Sequence, residues 1–153
     1  MTNEIFRNES VAENESFTQK YFTTTGRIDR LTFLKRSLIA FVALFLLTFT
    51  AGIIGYLVSS NIATAEMVMS ITSLAVIIPQ YFLNAKRLHD IGRDETLAKV
   101  FVGVGILQAL FTFSTASIIV NATMALSIVT FIFTLYLLFK KGEEVNNEYG
   151  MAK

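Results

Sequence analysis

The chain has 153 residues and a formal net charge of +1; 53% of its residues are hydrophobic, 16% are charged, and its mean hydropathy is +0.55. This composition is more apolar and less charged than that of a typical soluble domain. The chain contains no cysteine and one histidine, which excludes disulfides, thiolate metal sites and a multi-histidine metal site within one chain. We therefore assign no metal and no cofactor.

The basic residues follow a pattern along the chain. All 13 lysines and arginines lie in residues 1–36, 86–99 and 140–153, and four long apolar runs separate these segments. The connections near 59–66 and 114–121 contain none of them. Because lysine and arginine concentrate on the cytoplasmic side of membrane proteins, the pattern predicts an all-α integral membrane protein. It would have four transmembrane helices and both termini in the cytoplasm.

The N-terminal residues 1–25 are polar and acidic. They do not resemble a signal peptide, which has an early basic patch followed by an apolar core. We predict an N-terminal tail here, with a short surface helix near 10–20 as the alternative. The four-helix membrane domain is expected at 26–150, and residues 151–153 form the C-terminal end.

The apolar runs predict the four spans. The stretch from Leu97 to Phe139 is too long for one span, since about 20 residues cross a bilayer, so it must turn back on itself. We place the turn at its polar cluster, which consists of Ser114, Thr115, Ser117 and Asn121. The spans are then expected at about 37–58, 67–85, 97–113 and 118–139.

The second span contains a candidate intramembrane kink and polar patch. Its members are Pro79, Gln80 and Asn84. Proline removes one helical hydrogen bond and kinks the helix, so the patch could be a hinge or line a pathway. We favour the plainer interpretation, a tolerated kink with hydrogen bonds between helices. No ionisable residue lies in the middle of any predicted span, which argues against a transporter or ion pump.

The densest polar sequence follows the second span and reads K-R-L-H-D-I-G-R-D-E. Lys86 and Arg87 are expected at the headgroup level, where each gains about 1 kcal/mol from anionic lipid. Gly92 is expected to end the helix, because glycine tolerates the left-handed conformation. His89 and Asp90 suggest acid–base chemistry, but neighbours on a helix point about 100° apart. We therefore assign no catalytic residue.

Two structural interpretations of this loop stay open. In the first, Asp90 pairs with Arg27, Arg30 or Arg87, and His89 lies against backbone carbonyls at the membrane surface. In the second, basic residues bind phosphate headgroups. The candidate cytoplasmic cap or headgroup-binding site consists of Arg27, Arg30, Lys86, Arg87, His89, Asp90 and Arg93. We expect no nucleic-acid partner, because the chain has no separate basic domain.

Three blocks of the sequence resemble the domain of unknown function 805 family, small bacterial inner-membrane proteins. They are G-R-I-D-R-L-T-F at 26–33, R-L-H-D-I-G-R at 87–93 and the tail at 141–150 with its N-N-E-Y-G ending. The family usually continues the second block with a small-Gly-Trp segment, whereas this chain has D-E-T-L and no tryptophan. The resemblance covers roughly residues 22–150. It implies a four-helix protein of the bacterial inner membrane with undetermined biochemical function.

All three blocks lie on the cytoplasmic side of the predicted topology. We hypothesise that they assemble into one cap with Asp90 as its anionic centre. The favoured function is a non-enzymatic multi-pass membrane protein that acts through protein partners or lipid contact at this cap. Possible contacts are anionic headgroups of the bilayer, another membrane protein or a second copy of the chain. The alternatives are a small transporter or oligomeric channel, and an enzyme acting on lipid headgroups through His89 and Asp90.

Overall fold

The computed structural model describes residues 15–112, 114 and 116–151. Within these residues the chain is helical and contains no strand. The helices are α1 (Phe17–Tyr21), α2 (Arg30–Ser59), α3 (Ile62–Ser73), α4 (Ile77–Asp90), α5 (Thr96–Phe111) and α6 (Ser117–Phe139). A 3₁₀ turn at Leu74–Val76 joins α3 to α4.

Three helical segments are long and apolar enough to cross a membrane, judged by length and composition. They are Arg30–Ser59, Ile62–Asp90 and Ser117–Phe139. Helix α5 has 16 residues and is about 24 Å long, compared with about 30 Å for the hydrocarbon core. The prediction of an all-helical membrane protein is confirmed, whereas the four-span topology and the cytoplasmic termini stay predictions.

Two helices extend beyond the apolar runs that predicted them. Helix α2 begins at Arg30 instead of residue 37, because the carboxylate of Asp29 accepts a hydrogen bond of 2.7 Å from the backbone N–H of Thr32. A capping side chain of this kind fixes where a helix begins. Helix α4 continues past Ala85 to Asp90. Hydropathy therefore marks the apolar part of each helix and not its ends.

The turn between α5 and α6 lies at the polar cluster. Helix α5 ends at Phe111 and α6 begins at Ser117. Of the cluster, Ser114 lies in the turn, whereas Ser117 and Asn121 lie in α6; Asn121 is also inside the span expected at 118–139. Phe113, the expected end of the third span, and Thr115 lie outside the described residues.

The helix geometry changes just before Pro79. Leu74–Val76 is 3₁₀ rather than α-helical. Proline lacks the N–H that would bond to the carbonyl of Ala75, and its ring crowds that carbonyl. Pro79 itself is buried. The irregular turn therefore lies where the loss of this hydrogen bond leads us to expect it.

The N-terminal residues that are described pack against α4. Helix α1 begins with a capping box, in which Ser16 and Gln19 exchange side-chain to backbone hydrogen bonds of 2.9 and 3.2 Å. Such a reciprocal pair satisfies two backbone donors at once. Tyr21 is buried, and the ammonium of Lys86 donates to the carbonyl of Gln19. Helix α1 falls within the alternative helix near 10–20; residues 1–14 of the predicted tail lie outside the described residues.

The buried core lies at one end of the bundle. Its apolar members are Tyr21, Ile28, Phe33, Leu83, Ala85, Leu88, Ile91, Ala98, Phe133 and Leu137. Along the rest of the helices many large apolar side chains are exposed, such as Phe41, Phe45 and Phe49 on α2. This distribution suits helices that face lipid over most of their length. The core therefore supports the end of the bundle that carries the arginines.

Candidate functional site

The end of α4 is shaped by a glycine turn. The backbone N–H of Gly92 donates to the carbonyl of His89 at 3.2 Å, and that of Arg93 donates to Leu88 at 2.9 Å. This is the Schellman arrangement, which needs a residue with positive φ, and Gly92 has φ 76°. A Cβ at Gly92 would also overlap the carboxylate of Glu143. Glycine thus supplies the positive φ with which α4 ends. We call residues 26–30, 86–95 and 140–150 together the cap.

The carboxylate of Asp90 lies between two arginines. Its Oδ1 is 3.2 Å from Nη2 of Arg27, and its Oδ2 accepts a hydrogen bond from Nη1 of Arg87. The side chains of both arginines are 0% exposed, and that of Asp90 is 3% exposed. Buried charges are tolerated when they are paired and hydrogen-bonded. Asp90 carries one negative charge, whereas the two arginines carry two positive charges. The guanidinium N–H groups that Asp90 does not bind therefore need backbone carbonyls as acceptors.

Arg87 caps the C-terminus of α6. Its Nε donates to the carbonyl of Leu137 at 2.7 Å, and its Nη2 donates to the carbonyl of Lys140. The last carbonyls of a helix have no partner within the helix and carry negative partial charge. The guanidinium of Arg87 therefore donates hydrogen bonds to the C-terminal carbonyls of α6 and to the carboxylate of Asp90 at the same time. These bonds connect the end of α4 to the end of α6.

Arg27 holds the C-terminal tail. Its Nη1 donates to the carbonyl of Val145 at 2.8 Å, and its Nη2 donates to the carbonyl of Glu143 at 2.6 Å. The backbone N–H of Glu143 donates in turn to the carbonyl of Asp90 at 2.8 Å. An arginine offers five donors in a fixed plane, which a lysine does not. Arg27 uses them to bind Asp90 and the tail together.

Gly142 is a residue of the cap to which we assigned no role from the sequence. A Cβ at this position would overlap the carboxylate of Asp90. The tail can therefore cross over Asp90 only where it has no side chain. The presence of Gly142 in the third sequence block was the one signal that the sequence offered. The close approach itself depends on the tertiary path of the tail.

His89 is enclosed by the tail. Its ring stacks on Tyr149 with centroids 3.8 Å apart and planes 5° apart. Its Nδ1 lies 3.4 Å from the carbonyl oxygen of Gly26, and its Nε2 lies 3.2 Å from a carboxylate oxygen of Glu95. The side-chain amide of Asn147 donates to the carbonyl of His89 at 3.0 Å. His89 is 3% exposed, so its ring is committed to contacts within the protein.

Glu95 forms the outer edge of this enclosure. Hydrogen bonds from Lys99, and then from His89, lower the pKa of Glu95 below its usual value. The ammonium of Lys99 lies 3.0 Å from Oε1 of Glu95. A lowered pKa keeps this carboxylate ionised at neutral pH. Glu95 thus offers His89 a stable acceptor.

The side chains of the other three residues of the predicted site do not contact Asp90. Arg30 and Arg93 are exposed, and the buried Lys86 is directed at α1. Arg30 borders a crevice of about 250 Å³, whose other charged lining residues are Asp29, Arg87, Asp90, Lys141, Glu143 and Glu144. The structure therefore brings together Arg27, Arg87, His89 and Asp90. It leaves Arg30 and Arg93 at the surface.

The polar patch of α4 is satisfied within that helix. The side-chain amide of Gln80 donates to the amide oxygen of Asn84 at 2.8 Å. Asn84 is buried. An i, i+4 pair of this kind satisfies polar groups without a second helix, so this bond does not tie α4 to a neighbour.

Comparison with known proteins identifies one family. A family model described as "Protein of unknown function (DUF805)" matches residues 21–151. The match includes the three blocks that form the cap, so the resemblance predicted from them is confirmed. Comparisons with curated proteins and with solved structures found no match.

Proposed function

We propose that this chain, which belongs to the DUF805 family of proteins of unknown function, acts in the membrane through contacts made by its cap and not through catalysis. One observation carries the proposal. The guanidinium donors at the centre of the cap bind acceptors within the protein. Arg27 and Arg87 donate to Asp90 and to the carbonyls of Leu137, Lys140, Glu143 and Val145. The cap is thereby built as a fixed surface.

The burial of the cap's acid–base candidates supports a non-enzymatic role. A general acid or base must come within hydrogen-bond reach of its substrate. Asp90 is enclosed by two guanidinium groups, and both ring nitrogens of His89 lie close to protein acceptors. A substrate would have to displace the tail to reach either group.

The exposed part of the cap has mixed charge. Arg30, Lys141, Glu143 and Glu144 border the crevice beside Asp90. A purely anionic headgroup would meet carboxylates there as well as cations. A protein segment with complementary charges suits such a surface better, because charge patterns across an interface select the partner. We therefore favour a protein partner, either another membrane protein or a second copy, over lipid.

The joining of three chain segments supports the predicted topology. The segment before α2, the turn after α4 and the tail after α6 meet at Asp90. Segments that meet at one surface require an even number of crossings between them. Helices α2 and α3–α4 supply two crossings, and α5 and α6 supply two more if the short α5 spans. The abundance of basic residues at this end favours an orientation with the cap on the cytoplasmic side of the membrane.

Crosslinking tests the proposal. The chain has no cysteine, so single-cysteine variants at Arg30 and Glu144 can carry a photoactivatable crosslinker, with the exposed Asn61 as the control position. We expect protein adducts from the two cap positions in intact membranes and fewer from Asn61. Adducts to lipid alone, or equal yields at all three positions, would contradict a protein-contact surface at the cap.

A further inference from the structure

The imidazole of His89 faces an oxygen atom at each of its two nitrogens. Nδ1 lies 3.4 Å from the carbonyl oxygen of Gly26, and Nε2 lies 3.2 Å from a carboxylate oxygen of Glu95. A neutral imidazole has one N–H, so it can donate to one of these oxygens and turns a lone pair towards the other. A protonated imidazole has two N–H groups and donates to both. The hydrogen bonds of this enclosure are therefore complete only around the protonated ring.

The stacking contact of His89 depends on the same proton. Tyr149 of the tail lies parallel to the ring, with centroids 3.8 Å apart. The face of an aromatic ring carries negative partial charge and attracts a cation. When His89 loses its proton, this attraction ends, and repulsion between the lone pair and the facing oxygen turns the ring out of the plane on which Tyr149 packs. The proton therefore connects the ring to the tail.

The end of the tail is joined to His89. The backbone N–H groups of Asn147 and Gly150 donate to each other's carbonyls at 3.1 Å, so residues 147–150 form a closed turn. This turn contacts His89 through the ring of Tyr149 and through the side-chain amide of Asn147, which donates to the carbonyl of His89 at 3.0 Å. A further bond, from Nη1 of Arg27 to the carbonyl of Gly150, is 3.4 Å long and correspondingly weak. His89 is therefore the main anchor of the turn.

The part of the tail before this turn is held by different groups. The backbone N–H of Glu143 donates to the carbonyl of Asp90 at 2.8 Å. Arg27 donates to the carbonyls of Glu143 and Val145 at 2.6 and 2.8 Å. A guanidinium keeps its proton in proteins, and backbone carbonyls do not titrate. The tail is thus held in two parts, of which the second depends on a histidine.

The other titratable groups around His89 keep their charge where histidine titrates. Those that face it from other elements are Arg27, Asp94, Glu95, Lys99, Glu143, Glu148 and Tyr149. Asp90, its neighbour on α4, faces the arginines instead. Hydrogen bonds from Lys99 and His89 lower the pKa of Glu95, and a hydrogen bond with Glu148 raises the pKa of Tyr149. Carboxylates, lysine and arginine ordinarily stay charged, and tyrosine neutral, between about pH 6 and pH 8.5, whereas histidine titrates between about pH 5 and pH 8.

We propose that His89 is a proton-operated latch on residues 147–150. The protonated ring holds this turn against the cap, and loss of the proton to water lets the turn detach, while the part of the tail bound to Arg27 stays in place. A rising pH therefore changes the surface of the cap around His89 and leaves the centre at Asp90 intact. The latch consists of contacts within the chain, so it does not depend on the proposed contact function. If that function holds, pH selects between two forms of the contact surface.

Spin-label mobility of the full chain in detergent, measured between about pH 5.5 and pH 8.5, tests the latch. The chain has no cysteine and one histidine. A nitroxide can therefore be attached at Met151→Cys, and in protein purified without a histidine tag the Cε1–H signal of His89 reports its proton by NMR. We expect the rotational correlation time of the label to shorten severalfold as this signal titrates. The control label, at Val145→Cys, lies exposed on the part of the tail held by Arg27 and should keep its mobility.

Two substitutions separate the latch from a general loosening of the cap. His89→Gln keeps an amide donor but cannot gain a proton near neutral pH, so the label at 151 should be mobile at every pH. Should this variant fail to fold, judged by circular dichroism, Tyr149→Leu removes the stacked ring and should free the label while the His89 signal still titrates. A label at 151 that keeps its mobility through the titration of His89, or an equal change at 145, would overturn the proposal. A His89 signal that does not titrate in this range, or a response that persists in His89→Gln, would overturn it too.

Discussion

At the scale of single residues, the account depends most on Asp90. Replacing Asp90 with asparagine leaves Arg27 and Arg87 buried without a counter-charge, and removing one partner of a buried ion pair costs about 3–5 kcal/mol. Asp90→Arg should be worse, because three cations would then meet, and adding Arg87→Asp should restore part of the loss. Thermal unfolding in detergent measures each change.

The matched control for Asp90 is Glu144→Gln. Glu144 also pairs with a cation, Lys141, but both side chains are exposed, and surface pairs contribute about 0–1 kcal/mol. Equal melting temperatures for the Asp90→Asn and Glu144→Gln variants would show that the buried centre does not hold the cap together.

Gly142 offers a second test at this scale. Gly142→Ala places a methyl group against the Asp90 carboxylate, and overpacking of this kind costs about 1–3 kcal/mol. Gly103→Ala on α5 is the control, since a Cβ there meets no atom within 4 Å among the residues described. Alanine should stabilise that helix by up to about 1 kcal/mol. A Gly142→Ala protein as stable as the unchanged chain would refute the close crossing.

At the scale of elements, the C-terminal tail is held by backbone bonds that end at Arg27. Arg27→Lys keeps the charge but loses the planar fork that reaches Glu143, Val145 and Asp90. We expect hydrogen exchange of residues 142–150 to speed up in this variant, while α6 stays protected. Arg30→Lys, an exposed neighbour, should leave the tail unchanged. Protection of the tail that does not differ between the two variants would contradict this role of Arg27.

The sequence predicts elements better than contacts. Hydropathy located the helices because burial in lipid requires long apolar runs. Hydropathy missed the beginning of α2, because Asp29 fixes it through capping geometry. The end of α4 was predicted from Gly92 and not from hydropathy. Asp90 could be proposed as an anionic centre from charge alone. The sequence could not predict which arginines surround Asp90. Arg27 and Arg30 are close in sequence, and only the tertiary path of the chain buries Arg27 and exposes Arg30.

At the scale of the whole molecule, three distant segments meet in the cap. Arg27, Asp90 and Glu143 are far apart in sequence, yet their atoms lie within hydrogen-bond distance. In a membrane such contacts constrain topology, because a segment on the opposite side could not take part. The family match at 21–151 spans all three segments. The assembly of the cap and the predicted topology therefore depend on each other and form one hypothesis about the molecule.

Thiol accessibility tests that hypothesis most directly. Single cysteines at Arg30, Glu144 and Asn61 are treated with a membrane-impermeant maleimide in intact cells and in inverted vesicles. The account predicts labelling of the first two in inverted vesicles only, and of the third in intact cells only. Labelling of positions 30 and 144 from opposite sides, or of all three from one side, would contradict it.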